Sequence, residues 1–218
     1  MILNLQRDYM NALIGNFQKD LASYYTPQGF YDACQDFGTE HYKLLMSISR
    51  QLTNVKILEI GTHHGNSAIA LSYGKLHGKN IQVDTYDIVD LLQENPRQFF
   101  SQYGVNYYIK DLLNNEMRNQ YKDEILSYDV IFIDVDPHEG ILEYDMYLWL
   151  KNNNYQGIII YDDIHLGIDH DANGYHKTEH AMEDFWNKID NHDKTDITHL
   201  GHITGTGIVS FVQLDIIT

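Results

Sequence analysis

The pattern of apolar and polar positions divides the chain near residue 54. Before that point apolar residues recur at helical spacing and form two faces, Leu5, Tyr9, Ala12, Leu13 and Phe17 on one and Tyr42, Leu45, Met46, Ser49 and Leu52 on the other. This spacing predicts two helices, broken around the Thr-Pro-Gln-Gly segment at residues 26–29. After that point short apolar runs alternate with helix-compatible stretches. The predicted strands are 55–60, 80–86, 105–109, 128–133 and 156–161.

The alternation of strands and helices predicts right-handed crossovers and a parallel sheet with helices on both faces. Two more apolar runs, 196–203 and 207–214, flank Thr204-Gly205-Thr206, which suits an antiparallel hairpin. We therefore expect an α/β fold: a Rossmann-like, doubly wound sheet of seven strands, mostly parallel with an antiparallel last strand, plus N-terminal helices. Residues 1–53 would form a helical cap and residues 54–218 the main domain.

Charge and composition exclude several classes of protein. The chain has 15 basic and 31 acidic residues, a formal charge of −16, so a nucleic-acid partner is not expected. No apolar run approaches the roughly 20 residues of a membrane span, and the first residues lack a signal-peptide core. We expect no membrane partner and a cytoplasmic protein, in the host cytoplasm if the source is viral. Cys34 is the single cysteine, which excludes an intramolecular disulfide and a cysteine-built zinc site.

A glycine-containing loop follows the first predicted strand of the main domain, in the stretch Ile-Leu-Glu-Ile-Gly-Thr-His-His-Gly-Asn-Ser at residues 57–67. Gly61 and Gly65 would let the backbone turn tightly and approach a ligand. Two interpretations stay open at this stage, an ordinary strand-to-helix turn and a nucleoside site. Asp87 lies about twenty residues beyond the loop, where a carboxylate can accept hydrogen bonds from ribose hydroxyls. The pattern fits a dinucleotide fingerprint poorly, because Thr62 stands where the second glycine belongs.

Acidic residues and histidines follow the fourth and fifth strands of the main domain. Asp134, Asp136, Asp162 and Asp163 would repel one another unless a cation or a proton intervenes. Asp136 has a structural explanation, since Asp-Pro-His-Glu can be read as an N-cap, a first-turn proline and a capping box. The other three carboxylates suit Mg²⁺ or a similar divalent ion. His138 is either a general base or a surface-helix histidine.

The segment between Leu166 and Thr178 is longer than a typical loop between a strand and a helix. We interpret it as a substrate lid, against the alternative of a solvated insertion. His170 and His176 in this segment would contact substrate or be exposed.

The loop and Asp87 together resemble the class I methyltransferases, which bind S-adenosylmethionine. This resemblance spans roughly residues 36–213, and it implies that the loop binds the cofactor through Glu59, Gly61, Thr62, Gly65 and Ser67. It also implies that Asp87 binds the ribose and that Asp111 lies near the adenine.

The acidic end resembles that of cation-dependent O-methyltransferases of the catechol and macrolide-sugar types. That resemblance implies that Asp134, Asp162 and Asp163 bind Mg²⁺ or another divalent cation. The lysine base of the catechol type falls on Pro137, and His138 is the natural substitute.

Five stretches together resemble bacterial and viral methyltransferases associated with glycan or small-molecule modification: 37–45, the loop at Gly61, 132–140, 161–166 and 201–207. The resemblance implies O-methylation of a sugar or another polyhydroxylated molecule. Lower-ranked substrate contacts are Asp136, His165, His170, His176 and His202. The alternatives are a metal-independent methyltransferase with a histidine base, a non-catalytic nucleotide-binding module and, last, a dinucleotide oxidoreductase. Assembly into a homo-oligomer is left open.

Overall fold

The computed structural model describes residues 1–166 and 181–218. Its strands in these ranges are β1 (Ile2–Asn4), β2 (Val55–Ile60), β3 (Ile81–Asp87), β4 (Val105–Ile109), β5 (Val130–Ile133), β6 (Ile158–Asp162), β7 (Lys194–Asp196), β8 (Thr206–Ser210) and β9 (Asp215–Ile217). The helices are α1 (Arg7–Ile14), α2 (Phe17–Leu21), α3 (Pro27–Ala33), α4 (Tyr42–Gln51), α5 (Asn66–Leu71), α6 (Tyr73–Leu76), α7 (Glu94–Tyr103), α8 (Asn115–Gln120), α9 (Lys122–Ile125), α10 (Ile141–Asn152) and α11 (Ala181–Lys188).

The main sheet has seven strands in the order β4-β3-β2-β5-β6-β8-β7. Strands β2 to β6 pair in parallel, and β8 runs antiparallel to both of its neighbours. The predicted fold class is therefore confirmed, and the five parallel strands lie within two residues of their predicted bounds. The chain order reverses at β2, so the crevice for a ligand lies beyond the carboxyl ends of β2 and its neighbours.

Alternating side chains along the strands pack into two cores, one on each face of the sheet. Ile57 and Phe132 face the core that includes the N-terminal helices, whereas Leu58 and Ile133 face the core that includes α10 and α11. This alternation is what a doubly wound sheet requires, because both of its faces are covered. None of the helices in the described ranges is long and apolar enough to cross a bilayer.

The N-terminal region differs from the two predicted helices. It contains four helices and strand β1, which pairs in parallel with β9 in a separate two-stranded sheet. The predicted break at residues 26–29 is instead a helix start, because the Thr26 hydroxyl accepts a hydrogen bond from the Gly29 amide at 2.9 Å and Pro27 is the first helical residue. The boundary at residue 53 stays a prediction, and Leu44 on the N-terminal side shares a core with Ile57.

The closing hairpin has a longer connection than the sequence predicts. Strand β7 ends at Asp196 and β8 begins at Thr206, so the predicted strand 196–203 is wrong. Its apolar residues Ile197 and Leu200 are buried by a turn, in which the Leu200 amide donates to the Ile197 carbonyl at 2.8 Å. The end of the connection pairs with the segment after β6, because the His165 amide donates to the Thr204 carbonyl at 2.7 Å.

Candidate active site

The glycine loop turns the chain from β2 into α5. Gly61 and Gly65 have φ values of 102° and 91°, in the region that favours glycine. The Gly65 amide donates to the Thr62 carbonyl at 2.7 Å and closes the turn. A Cβ atom on Gly65 would lie 2.5 Å from the Leu92 side chain, and one on Gly61 would overlap the Asp134 carbonyl. The two glycines therefore make room for neighbouring chain segments, and the approach of a ligand to this loop stays a prediction.

Asp87 ends β3 directly opposite the loop. One carboxylate oxygen accepts a hydrogen bond from the His63 amide at 2.7 Å, and the other accepts one from the Val89 amide at 3.2 Å. Each carboxylate oxygen has two acceptor positions, so both can still accept a hydrogen bond from a ligand. The side chain is therefore fixed in place and remains able to bind hydroxyl groups.

A cavity of about 380 Å³ lies at the carboxyl ends of β2 to β5. Several residues predicted to bind the cofactor line it: Gly61, Thr62, Ser67, Asp87 and Asp111. Asp134, Asp136 and His138 line the same cavity. The loop side and the acidic side of the predicted site therefore open into one space.

Asp111 lies at this cavity but also has a local role. One of its carboxylate oxygens accepts hydrogen bonds from the Leu113 and Asn114 amides, both at 3.0 Å. This arrangement fixes the turn that leads into α8, so the contact with adenine stays a prediction.

Glu59 lies beneath the loop and is not among the residues that line the cavity. Its side chain is fully buried, the Thr85 hydroxyl donates to one of its oxygens, and the other oxygen has no partner. Burial raises the pKa of the Glu59 carboxyl to about 7, although the nearby Ser67 and Thr85 hydroxyls oppose the shift. Glu59 supports the loop through Thr85, whose hydroxyl lies 2.5 Å from that of Thr62. The direct contact between Glu59 and the cofactor stays a prediction.

Asp162 ends β6 and is directed towards two histidines. One oxygen lies 3.0 Å from Nδ1 of His41 and 3.4 Å from Nδ1 of His202, and the other accepts from the Thr206 hydroxyl at 3.2 Å. Burial alone would raise the pKa of Asp162, but the neighbouring His41 lowers it below its ordinary value. Burial alone would lower the pKa of His41, but Asp162 and Glu40 raise it to about 9.

Asp163 connects this buried cluster with the cavity. One of its oxygens accepts from the Thr204 hydroxyl and lies 3.2 Å from Nδ1 of His202. Its other oxygen lies 3.2 Å from Nε2 of His138. Burial alone would lower the pKa of His202, but its hydrogen bonds with Asp162 and Asp163 raise it to about 11. His138 is therefore held beside a carboxylate at the cavity wall.

Asp134 follows β5 and completes the acidic end. Burial raises the pKa of the Asp134 carboxyl well above its ordinary value, and the nearby Asp162 carboxylate adds to the rise.

The three predicted metal ligands are divided between two groups of side chains. Ligand atoms of Asp134, His138 and Asp163 lie within 4.8 Å of one another, and so do those of His41, Asp162 and His202. Within the described part of the chain, the three carboxylates are therefore divided between two mixed groups of carboxylates and imidazoles, and their binding of a metal ion stays a prediction.

The helix-cap interpretation of Asp136 is wrong. Helix α10 begins at Ile141 and is preceded by Gly140 with φ 67°, so Asp136 and Pro137 lie in a loop. Glycine at this position allows the backbone to enter the helix from the left-handed region. Asp136 lies 3.3 Å from Nε2 of His138 and is exposed at the cavity.

Comparisons with known proteins identify the kind of domain. Residues 58–164 match the family model described as a methyltransferase domain. These residues therefore form a methyltransferase domain. No curated protein matches the sequence of this methyltransferase.

Solved structures share the fold of the methyltransferase. Cofactor-bound Rv0187 from MTB is 18% identical over 94% of this chain and 90% of its own, with a TM-score of 0.56. SAH-bound methyltransferase PaMTH1 from Podospora anserina is 17% identical over 93% and 86%, with a TM-score of 0.56. The O-methyltransferase from Bacillus cereus in complex with SAH is 19% identical over 94% and 91%, with a TM-score of 0.52.

The remaining predicted contacts of the methyltransferase lie outside the cavity lining or outside the described residues. Nε2 of His165 lies 2.6 Å from the Asp196 carboxylate, away from the two groups that could hold a metal. His202 lies in the buried cluster. His170 and His176, and most of the segment interpreted as a lid, lie outside the described residues.

Sequence reasoning missed two site residues of the methyltransferase, Glu40 and His41. They lie in the N-terminal region, and His41 immediately precedes α4. The Glu40 carboxylate accepts from the His41 amide at 2.8 Å and lies 3.1 Å from its Nδ1. The sequence signal for these two residues was the stretch 37–45, which resembles the bacterial and viral methyltransferases named above. This stretch contains no spacing of residues that is typical of a catalytic motif.

Proposed function

We propose that the protein transfers a methyl group from S-adenosylmethionine to a hydroxyl of a sugar or another small polyhydroxylated molecule. One observation carries the proposal: His138 and Asp134 line the same cavity as Gly61 and Asp87. An imidazole that can accept a proton and a carboxylate that can accept hydrogen bonds from ribose hydroxyls therefore face one space, which supports the proposal. Two of the fold relatives are named as SAH complexes, and one of these two is called an O-methyltransferase. Both names agree with the proposal.

The residues present fit this cofactor. Asp87 keeps acceptor capacity for ribose hydroxyls, and the apolar side chains of Ile88, Leu91 and Leu112 at the cavity provide surface for a base. Thr62 and Ser67 line the cavity beside the glycine loop. When bound, the cofactor supplies a methyl group that its sulfonium makes electrophilic.

His138 performs the proton transfer in this reaction. Its imidazole takes the hydroxyl proton as the acceptor oxygen forms its bond to the methyl carbon and the carbon–sulfur bond breaks. The products are a methyl ether, S-adenosylhomocysteine and a protonated His138. The Asp163 carboxylate, 3.2 Å from Nε2, stabilises the imidazolium. Asp134 and Asp136 offer carboxylate oxygens that can accept hydrogen bonds from further hydroxyls of a sugar.

We assign no step to Mg²⁺. Magnesium prefers oxygen ligands in a regular octahedron. Both oxygens of Asp162 already contact other protein groups, Thr206 on one side and the two imidazoles on the other. The proposed proton transfer needs only His138 and Asp163.

Acceptor screening combined with a base variant tests the proposal. The wild-type chain should form S-adenosylhomocysteine with at least one member of a panel of sugars and polyphenols. His138→Gln should lower kcat by roughly 100-fold to 10,000-fold while calorimetry shows unchanged cofactor binding. His192→Gln removes an exposed histidine and should leave kcat unchanged. Cofactor binding without turnover on any acceptor would favour the non-catalytic module, and full kcat in His138→Gln would remove the assigned base.

A further inference from the structure

Three distant chain segments meet at one buried point behind the cavity. His41 comes from the residue before α4, Asp162 from the end of β6 and His202 from the connection that leads to β8. His41 and Asp162 are each 4% exposed. His41 and Asp162 therefore meet away from solvent, where polar groups need partners, and the partly exposed His202 lies beside them.

Several carboxylate and hydroxyl oxygens lie around the Nδ1 atoms of the two histidines. Nδ1 of His202 lies 2.6 Å from the Thr204 hydroxyl, 3.2 Å from Asp163 and 3.4 Å from Asp162. Nδ1 of His41 lies 3.0 Å from the same Asp162 oxygen and 3.1 Å from Glu40. A ring nitrogen carries at most one hydrogen, so each Nδ1 has more oxygen atoms around it than a single linear hydrogen bond can serve.

The other nitrogen of His41 provides a second observation. Nε2 of this buried ring has no hydrogen-bond partner. Most buried polar side chains are held by partners on each polar atom. The polar contacts of His41 at this depth are thus concentrated on Nδ1, which faces the cluster.

We propose that His41, Asp162 and His202 bind one divalent first-row transition-metal ion, such as Zn²⁺ or Mn²⁺. Metal bonds of about 2.1 Å place neighbouring ligand atoms about 3.0 Å apart in an octahedron and about 3.4 Å apart in a tetrahedron. The two nitrogen-to-oxygen separations at Asp162 are 3.0 and 3.4 Å. Glu40, 3.1 Å from Nδ1 of His41, is in reach as a fourth ligand.

The chemistry of the donors selects the ion. Two imidazoles with one or two carboxylates suit zinc, iron, manganese or cobalt, whereas Mg²⁺ prefers oxygen ligands. This site therefore differs from the oxygen-only site that the sequence suggests for Asp134, Asp162 and Asp163. An ion here ties the N-terminal region to β6 and to the hairpin. It also fixes the position of Asp163, the residue that faces His138.

Metal titration of the untagged 218-residue chain, stripped with chelator, tests this site without an activity measurement. We expect one Co²⁺ per chain, seen as visible absorption bands of a bound ion, and displacement of Co²⁺ by Zn²⁺ but not by millimolar Mg²⁺. His202→Ala should weaken Co²⁺ binding by roughly 100-fold or more, because it removes a ligand. His202 is partly exposed, so this variant avoids a large cavity in the core.

Two further variants make the result decisive. His199→Ala removes an exposed histidine three residues away and should bind Co²⁺ like the wild type. Asp134→Asn alters the other mixed group and should also retain the ion. The proposal is overturned if the wild type binds no stoichiometric Co²⁺, if His202→Ala binds it unchanged, if Mg²⁺ competes equally, or if Asp134→Asn alone abolishes binding. Because none of these measurements uses methyl transfer, failure of the metal site leaves the proposed reaction intact, and the reverse also holds.

Discussion

The carbonyl oxygen of Asp134 occupies the space that any side chain on Gly61 would need. A Cβ atom built on Gly61 would lie 1.7 Å from that oxygen, well inside van der Waals contact. The strands that carry these residues, β2 and β5, are hydrogen-bonded neighbours, and the Asp134 amide donates to the Ile60 carbonyl at 3.1 Å. The loop at the cofactor side and the acidic end are therefore in direct contact through their backbones.

Gly61→Ala should destabilise the chain by more than about 3 kcal/mol. The substitution combines a backbone clash with a φ of 102° that alanine disfavours. Gly78→Ala is the matched control, because Gly78 also has positive φ (73°) but a Cβ there would meet nothing within 4 Å. It should cost only about 1 kcal/mol. Urea unfolding of both variants measures the difference, and equal losses would show that the loop can move away from Asp134.

Asp87→Asn should weaken binding of S-adenosylhomocysteine by about tenfold or more. The amide group replaces one acceptor oxygen with a donor, which disturbs either the bond from the His63 amide or the acceptance of a ribose hydroxyl. Asp90→Asn is the control, since Asp90 is exposed three residues away and pairs with Arg97 at 2.6 Å. Isothermal calorimetry should find wild-type affinity in the control. Unchanged affinity in Asp87→Asn would place the nucleoside elsewhere.

Glu59→Gln should change how stability depends on pH. The folded chain keeps the Glu59 proton up to a pKa of about 7, whereas the unfolded chain releases it near 4.5. The folded state thus binds more protons in this window, so the contribution of Glu59 is full below pH 4.5 and is lost as pH rises through 7. At 1.36 kcal/mol per unit, the wild type should lose up to about 3 kcal/mol relative to Glu59→Gln.

The readout for Glu59 is the difference in unfolding free energy between variant and wild type, measured at several pH values from 4.5 to 8. Other titrating groups are common to both chains and cancel. Glu116→Gln, at an exposed position, should give a flat difference. A flat difference for Glu59→Gln as well would mean that Glu59 ionises normally when buried.

His165→Ala should lower stability by less than about 1 kcal/mol. Its contact with Asp196 is 2.6 Å long, but the two side chains are 37% and 44% exposed, and ion pairs at such positions contribute little. Asp196→Ala should cost more, because Asp196 also accepts from the amide and hydroxyl of Thr198. Thermal unfolding compares them. If His165→Ala lowered kcat as much as His138→Gln, His165 would belong to the reaction instead.

Strand positions were predictable because buried parallel strands are continuous apolar runs, as at 55–60. Placement of Asp87 and Asp134 at the cavity followed from the rule that ligands lie beyond the carboxyl ends of such strands. The predicted strand 196–203 failed because Ile197 and Leu200 become buried in a turn, which apolar content alone does not distinguish from a strand. The three residues of β1 are too few to show a period.

Side-chain partners were less predictable than strand ends. Asp162 and Asp163 are adjacent in sequence, yet Asp162 contacts His41 and Asp163 contacts His138. The direction of each side chain depends on a distant segment. Asp162 contacts His41 of the N-terminal segment, 121 residues away in sequence, and Asp163 also contacts His202 of the hairpin connection, 39 residues away. Sequence spacing identifies which residues reach the edge of the sheet, and only the fold shows which way each one turns.

The division of the site along the chain has a consequence for how such proteins can diverge. Gly61, Asp87 and Asp134 lie within the matched residues 58–164, whereas His41 and His202 lie in the flanking segments. A chimera that keeps the central segment and exchanges both flanks would keep Asp162 and Asp163 but surround them with new side chains. The flanks can therefore change the partners of these two carboxylates without altering Gly61 or Asp87.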